Sequence, residues 1–307
     1  MSVMPYSEPE RLTEANPTVE LELASRERDL GDGISVRRLL PSAARRTVGP
    51  FIFVDHIGPL HLPPGNGVDV APHPHINLAT VTFLFEGEFV HRDSLGSEQP
   101  ILPGDVNWMT AGRGIVHSER TPSTARKSGP SIHGMQVWVA LPSAEEETAP
   151  SFQHHQSTTI PMVDRPGARL RIIAGSAYGQ RSPVSVFSPL FYVEAHLDRG
   201  AALPLPDEHR ERAVYVVSGA LSVDGKPYRE GRMVVLREGA AARVQALEPS
   251  RLLLLGGAPL DGQRHIWWNF VSSSPERIER AKVDWREGRF PKIPGDETEF
   301  APLPESK

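Results

Sequence analysis

Short apolar runs recur along the chain. Thr80–Phe85 (TVTFLF), Val106–Thr110 (VNWMT), Met135–Leu141 (MQVWVAL), Leu190–Ala195 (LFYVEA), Val214–Val217 (VYVV), Met233–Leu236 (MVVL) and Arg251–Leu255 (RLLLL) are β-branched, aromatic or aliphatic, and turn residues bound most of them. Runs of this kind predict strands, and their close spacing predicts an all-β sandwich or barrel. One helix is predicted near the end. Ser274 can cap it, Pro275 suits its first position, Glu276 suits its first turn, and Ile278, Ala281 and Trp285 form one apolar stripe. From Pro291 the chain is Pro-rich and acidic, which predicts an extended tail.

The strand pattern occurs twice. VTFLFEGEFV followed by LPGDVNWMTAGRG in the first half resembles VYVVSGALSV followed by YREGRMVVLREG in the second. Gly87 then corresponds to Gly219, Gly104 to Gly231 and Gly112 to Gly239. A repeated strand–turn unit predicts two related β-barrels. The segment 143–167 is polar and poor in pattern and is expected to connect them. The expected division is a first domain over 1–142, a linker over 143–167, a second domain over 168–290 and a tail over 291–307.

Length and composition fit this picture. At 307 residues, with 39% hydrophobic and 23% charged residues, the chain reads as two ordinary globular domains. A net charge of −5 argues against direct nucleic-acid binding. The absence of cysteine excludes disulfides and thiolate metal sites and fits a cytoplasmic protein. The opening stretch MSVMPYSEPERLTEANP has no apolar core for a signal peptide, and the longest apolar runs are far too short to span a bilayer.

The candidate chemistry lies in the first half. His73 and His75 are two apart, so on a strand both imidazoles face one side. Pro72 and Pro74 flank them, and a strand carrying two prolines belongs at a sheet edge, a strand start or a bulge. His117 and Glu119 are again two apart, after a Gly-rich turn at Ala111–Gly114. Two adjacent strands could thus supply two ligands each. Neither pair is specific alone, and buried structural histidines are the competing reading. Order and context favour a metal. His75 precedes Gly87 by twelve residues and His117 follows Gly112 by five, the two places where cupin barrels carry metal ligands.

The stretch from Gly49 to Pro122 resembles the pirin family, in GPFIFVDHIGP, HPHINLATVTFLFEGE, HRDSLGS and PGDVNWMTAGRGIVHSE, and the late WWNFVSSSPERIERA is similar too. The resemblance implies two tandem cupin (jelly-roll type) β-barrels with a short C-terminal helix, and one metal in the first barrel, usually iron. It carries the metal ligands to His73, His75, His117 and Glu119. Such a ligand set suits Fe(II), Mn, Ni, Cu or Zn. The chain departs from the commoner pattern after His75. Ile76-Asn77-Leu78-Ala79-Thr80 stands where many pirins have Arg-Gly-Phe-Glu-Thr, so Ala79 replaces a glutamate and Glu119 is the only carboxylate expected. In the second barrel the positions matching the ligands are Leu205, Asp207, Val244 and Ala246, which predicts no metal there.

The resemblance further implies a quercetin 2,3-dioxygenase-like reaction, opening a flavonol or related enolisable aromatic substrate with O2. Glu119 could leave the metal and serve as general base. The other reading from the family is a non-enzymatic, metal- and redox-responsive regulator that binds a transcription factor or metabolic enzyme.

Other candidates rank lower. His91, Arg92, Asp93 and Ser94 do not make a catalytic triad, because neighbours on a strand face opposite sides. His56 reads as a hydrogen-bonded core residue or a support for a ligand. His154 and His155 read as a solvated pair. Trp108 and Met109 read as core, and Trp267 and Trp268 as anchors for the helix. The Gly112–Gly114 turn lacks the following helix of a phosphate loop.

Overall fold

A computed structural model describes residues 16–29 and 35–304. Residues 1–15, on which the leader reading rests, and the last three residues of the expected tail lie outside them. Among the described residues, strands form two large antiparallel sheets and two four-stranded ones, plus a separate hairpin. The large sheet of the first barrel runs Ser151–His155, Val106–Thr110, Leu78–Glu86, Ser131–Ala140, Phe51–His61, Ser35–Leu40 and Arg26–Asp29. Its four-stranded partner runs Asp69–His75, Ile115–Arg120, Phe89–Asp93 and Glu98–Ile101. The second barrel repeats the plan, with a small sheet of Ala202–Pro204, Arg243–Ala246, Ala220–Val223 and Lys226–Arg229.

The two large sheets pack back to back. Leu253 and Leu255 join Val81, Phe83, Met135 and Val137 in the core between the barrels, whereas Leu252 and Leu254 fill the second barrel's interior. Both faces of these strands are therefore buried, which is why runs such as RLLLL lack polar alternation. The repeat of glycines has a conformational cause. Gly87 and Gly219 have φ of 88° and 85°, and Gly104 and Gly231 both have 81°. A side chain at Gly87 would also place its Cβ 2.0 Å from the Ser131 carbonyl oxygen.

The chain crosses between the barrels more often than the expected division allows. Val19–Ala24 pairs with Arg232–Leu236, so the first described strand belongs to the second barrel's sheet. The segment expected as a linker is built into both sheets. Ser151–His155 pairs with Val106–Thr110, and Met162–Arg165 pairs with Ala168–Arg171. After Gly257 the chain leaves the second barrel and returns to the first, through the hairpin His265–Trp267 and Phe270–Ser272 and the helix Pro275–Arg286. Backbone pairing of Ile76 with Phe270, and a cluster of Ile76, Phe270, Ile278 and Ala281, seal the contact. The helix starts as its sequence predicts, with the Ser274 hydroxyl accepting from the Arg277 amide. The residues from 291 onward are not free of the fold. Ile293 is buried, and the Ala301 amide donates to the Pro72 carbonyl. Among the described residues no helix is long and apolar enough to cross a membrane.

Candidate metal centre

The strand Asp69–His75 lies at the edge of its sheet, where prolines without donors cost nothing, and pairs with Ile115–Arg120. His117 sits opposite His73 and Ile115 opposite His75. The three imidazoles are buried and close together, with ring centroids 4.3 to 5.0 Å apart, His73 and His75 edge to face and both tilted against His117. One ring nitrogen of each lies within 4.8 Å of the others.

Hydrogen bonds decide which nitrogens are free. His73 Nδ1 lies 2.9 Å from the Ala71 carbonyl oxygen, and His75 Nδ1 lies 3.1 Å from that of Asn269. A carbonyl only accepts, so each Nδ1 carries the proton and each Nε2 keeps its lone pair. His117 Nε2 is buried and has no hydrogen-bond partner. An orphaned imidazole nitrogen among two other free ones fits a metal ion, since buried polar atoms are otherwise paired. Burial pushes His73 down to about 4 and His75 and His117 well below the usual histidine range, so all three are neutral and competent to bind a cation.

Glu119, the fourth expected ligand, is buried beside this set but lies outside the group whose ligand atoms fall within 4.8 Å of one another, which among the described residues comprises the three imidazoles. A strand irregularity between His117 and Glu119 places it opposite Val70, with a carboxylate oxygen 3.7 Å from His117 Nδ1. Burial pushes its carboxyl up to about 7, a cost that a bound cation would offset. Trp138 packs edge-on against His75 and stacks on Phe53, 4.1 Å away at 13°. The Arg38 guanidinium lies over Phe53 and pairs with Asp55 through two hydrogen bonds. Trp138, Phe53 and Arg38 thus form a stacked column that leads away from the histidines.

Sequence reasoning missed two residues of the site. His91 and Asp93 share one face of their strand, and His91 Nε2 lies 3.0 Å from Asp93 Oδ2. His91 Nδ1 lies 3.4 Å from His117 Nδ1. The i, i+2 spacing that singled out His73 and His75 applies equally to this pair. Grouping them with Arg92 and Ser94 obscured it. Arg92 turns outward to Glu98, while the Ser94 hydroxyl accepts from the Val116 amide.

The remaining candidates lie elsewhere. His56 bonds Tyr215, His133 and Arg37 between the barrels and supports no metal ligand. His154 bonds Asn107, and His155, its neighbour, faces the other way with Nε2 unpartnered. Trp108 joins the core between barrels, and Met109 the first barrel's interior. Trp267 and Trp268 pack with Phe270, Trp285 and Phe290 beside the helix. Ala79 also lies in the core between barrels. A glutamate in its place would not face the histidines. Asn77, where many pirins have glycine, has φ of 59°, a conformation asparagine tolerates better than most residues. Ile76, where they have arginine, is fully buried against Phe270. In the second barrel Leu205, Val244 and Ala246 are packed in its apolar interior.

Comparison with known proteins agrees with the geometry. The Pirin family model matches residues 33–139, and the Pirin C-terminal cupin domain model matches residues 192–291. A pirin-like protein of Caulobacter vibrioides is 50% identical over 94% of this chain and 100% of its own length. A Pseudomonas aeruginosa protein provisionally named a quercetin 2,3-dioxygenase is 38% identical over 92% of this chain and 90% of its own. The crystal structure of a quercetin 2,3-dioxygenase from Acinetobacter baumannii superposes with a TM-score of 0.84 at 35% identity, covering 94% of this chain and 96% of that one.

Proposed function

The chain belongs to the pirin family of cupin proteins, and from that premise we propose that it is a metal-dependent dioxygenase of small enolisable aromatic molecules, flavonols such as quercetin being the first class to test. The observation that carries this reading is the buried, unpartnered Nε2 of His117 beside two imidazoles whose Nε2 atoms are also free. In this reading His73, His75, His117 and Glu119 hold one divalent transition metal, Fe(II) foremost, with Mn, Ni, Cu or Zn as alternatives. Such an ion supplies Lewis acidity that lowers the pKa of a substrate hydroxyl, and opens the way to chemistry with O2.

The chain's own residues supply the rest. Trp138, stacked on Phe53, packs against His75 and gives that side of the site an apolar lining. Glu119 offers the carboxylate that could receive the substrate hydroxyl proton once displaced from the metal. The returning C-terminal segment packs Phe270 against Ile76, next to His75, and excludes water from that side of the site.

The test is anaerobic addition of a flavonol panel to metal-replete protein, followed by admission of O2. Substrate loss with stoichiometric O2 uptake is expected. No uptake with any flavonol would overturn the proposal.

A further inference from the structure

We propose that Asp93 and His91 form a positioning relay that sets the tautomer of His117, ending a chain of carboxylate, imidazole and imidazole at the metal. The inference rests on the metal reading of the three-histidine site and assigns residues that the ligand set does not include.

The relay begins at a carboxylate that cannot turn. Asp93 is fully buried, and its Oδ1 accepts from the amides of Leu95 at 2.9 Å and Ser97 at 3.1 Å. Its Oδ2 is therefore committed to His91 Nε2 at 3.0 Å. A carboxylate only accepts, so Nε2 of a neutral His91 carries the proton and Nδ1 keeps the lone pair. That lone pair faces His117 Nδ1 at 3.4 Å. His117 Nδ1 then donates, and the free electron pair of His117 lies on Nε2, the atom without a partner.

The same device serves all three imidazoles, with one difference. His73 and His75 have their Nδ1 protons held by main-chain carbonyls, of Ala71 and Asn269. His117 is held by a side chain, so its orientation alone depends on residue identity. Phe152 stacks on His91 at 4.3 Å and 11°, which limits rotation of the ring. The strands enforce the alignment, since His91 lies opposite Glu119 and Asp93 opposite His117. Groups that fix a ligating histidine's other nitrogen typically change metal affinity 10- to 100-fold when lost.

The proposal predicts an unusual set of variants. His91→Phe keeps an aromatic ring on Phe152 but removes the acceptor. Asp93→Asn keeps size and shape. Its oxygen stays with the Leu95 and Ser97 amides, so its NH2 faces His91, reverses that ring's tautomer and sets two N–H groups against each other. His91→Gln restores both an acceptor toward His117 and a donor toward Asp93. Metal-free full-length protein is titrated with Co(II), following the visible absorption bands that report its coordination, and thermal unfolding of each metal-free variant is measured alongside.

His91→Phe and Asp93→Asn are expected to bind Co(II) about 10- to 100-fold more weakly. His91→Gln is expected to recover most of the affinity with wild-type bands. Unaltered affinity in the first two would overturn the relay while leaving the metal site intact. His91→Gln as weak as His91→Phe, or with altered bands, would also overturn it, because His91 would then act as a ligand itself. Affinity losses that merely track losses in unfolding temperature would assign the pair a structural role and overturn it too. No Co(II) binding by the wild type would sink the metal reading and this inference together.

Discussion

His56 offers a measurement that does not involve the metal. It is buried between the barrels, with Nδ1 2.6 Å from the Tyr215 hydroxyl and Nε2 2.8 Å from His133 Nε2 and 3.2 Å from Arg37. Burial pushes it down to about 2, and the positive neighbours Arg37 and His133 add to the effect. The unfolded chain takes up a proton near 6.5, whereas the folded one does not until far lower. The folded pKa is depressed, so the contribution is fully present above pH 6.5 and is lost as pH falls toward the folded value. Each pH unit in that window costs about 1.4 kcal/mol. Between pH 7.5 and 4.5 His56 alone should therefore remove about 3 kcal/mol of stability. The perturbation is His56→Gln, which keeps an acceptor and donors but does not titrate. Urea unfolding of metal-free wild type and variant, at pH 7.5, 6.5, 5.5 and 4.5, isolates His56 together with its coupling to His133, because the remaining titrating groups are common to both. The variant is expected to lose about 3 kcal/mol less than wild type between pH 7.5 and 4.5. Parallel curves would refute the reasoning, since they would mean that His56 accepts a proton while the barrels stay docked.

Three further outcomes are expected. His117→Ala protein, purified without added metal and analysed for metal content, should lose the ion that wild type retains; unchanged content would sink the ligand assignment. Ala79→Glu should lower the unfolding temperature by burying a carboxylate between the barrels, at a cost of several kcal/mol, yet leave Co(II) affinity at the wild-type value; tighter binding would show that this position does reach the metal. Gly87→Ala should destabilise the first barrel by at least 1 kcal/mol, because φ is 88° and the added Cβ meets the Ser131 carbonyl; an unchanged urea midpoint would contradict that close approach.

Much of the architecture was legible in the sequence because it depends on local signals. Strand composition, the glycines at positive φ and the Ser274 cap all act over a few residues. The histidine triad was legible for the same reason, since His73 and His75 share a face through strand periodicity and the pairing strand follows in order. What was not legible depends on distant partners. Nothing near Val19–Ala24 announces that its sheet neighbour is Arg232–Leu236, and nothing in the polar stretch 143–167 announces strands in both barrels. Nothing beside Ile76 in the sequence announces that its partner is Phe270. His91 needed only the rule already applied to His73, but its meaning depends on how three strands align around His117.

The hydrogen bond from His75 to the Asn269 carbonyl spans 194 positions of sequence. Its consequence is temporal. A ribosome that has completed the first barrel has made all three imidazoles, but has not yet made the group that holds one of them in place. The hairpin and helix follow the second barrel in the chain and are made after it. Until that hairpin has been made, His75 lacks the carbonyl that fixes its tautomer and orientation, so the first barrel's histidine cluster is completed only after the second barrel has been translated.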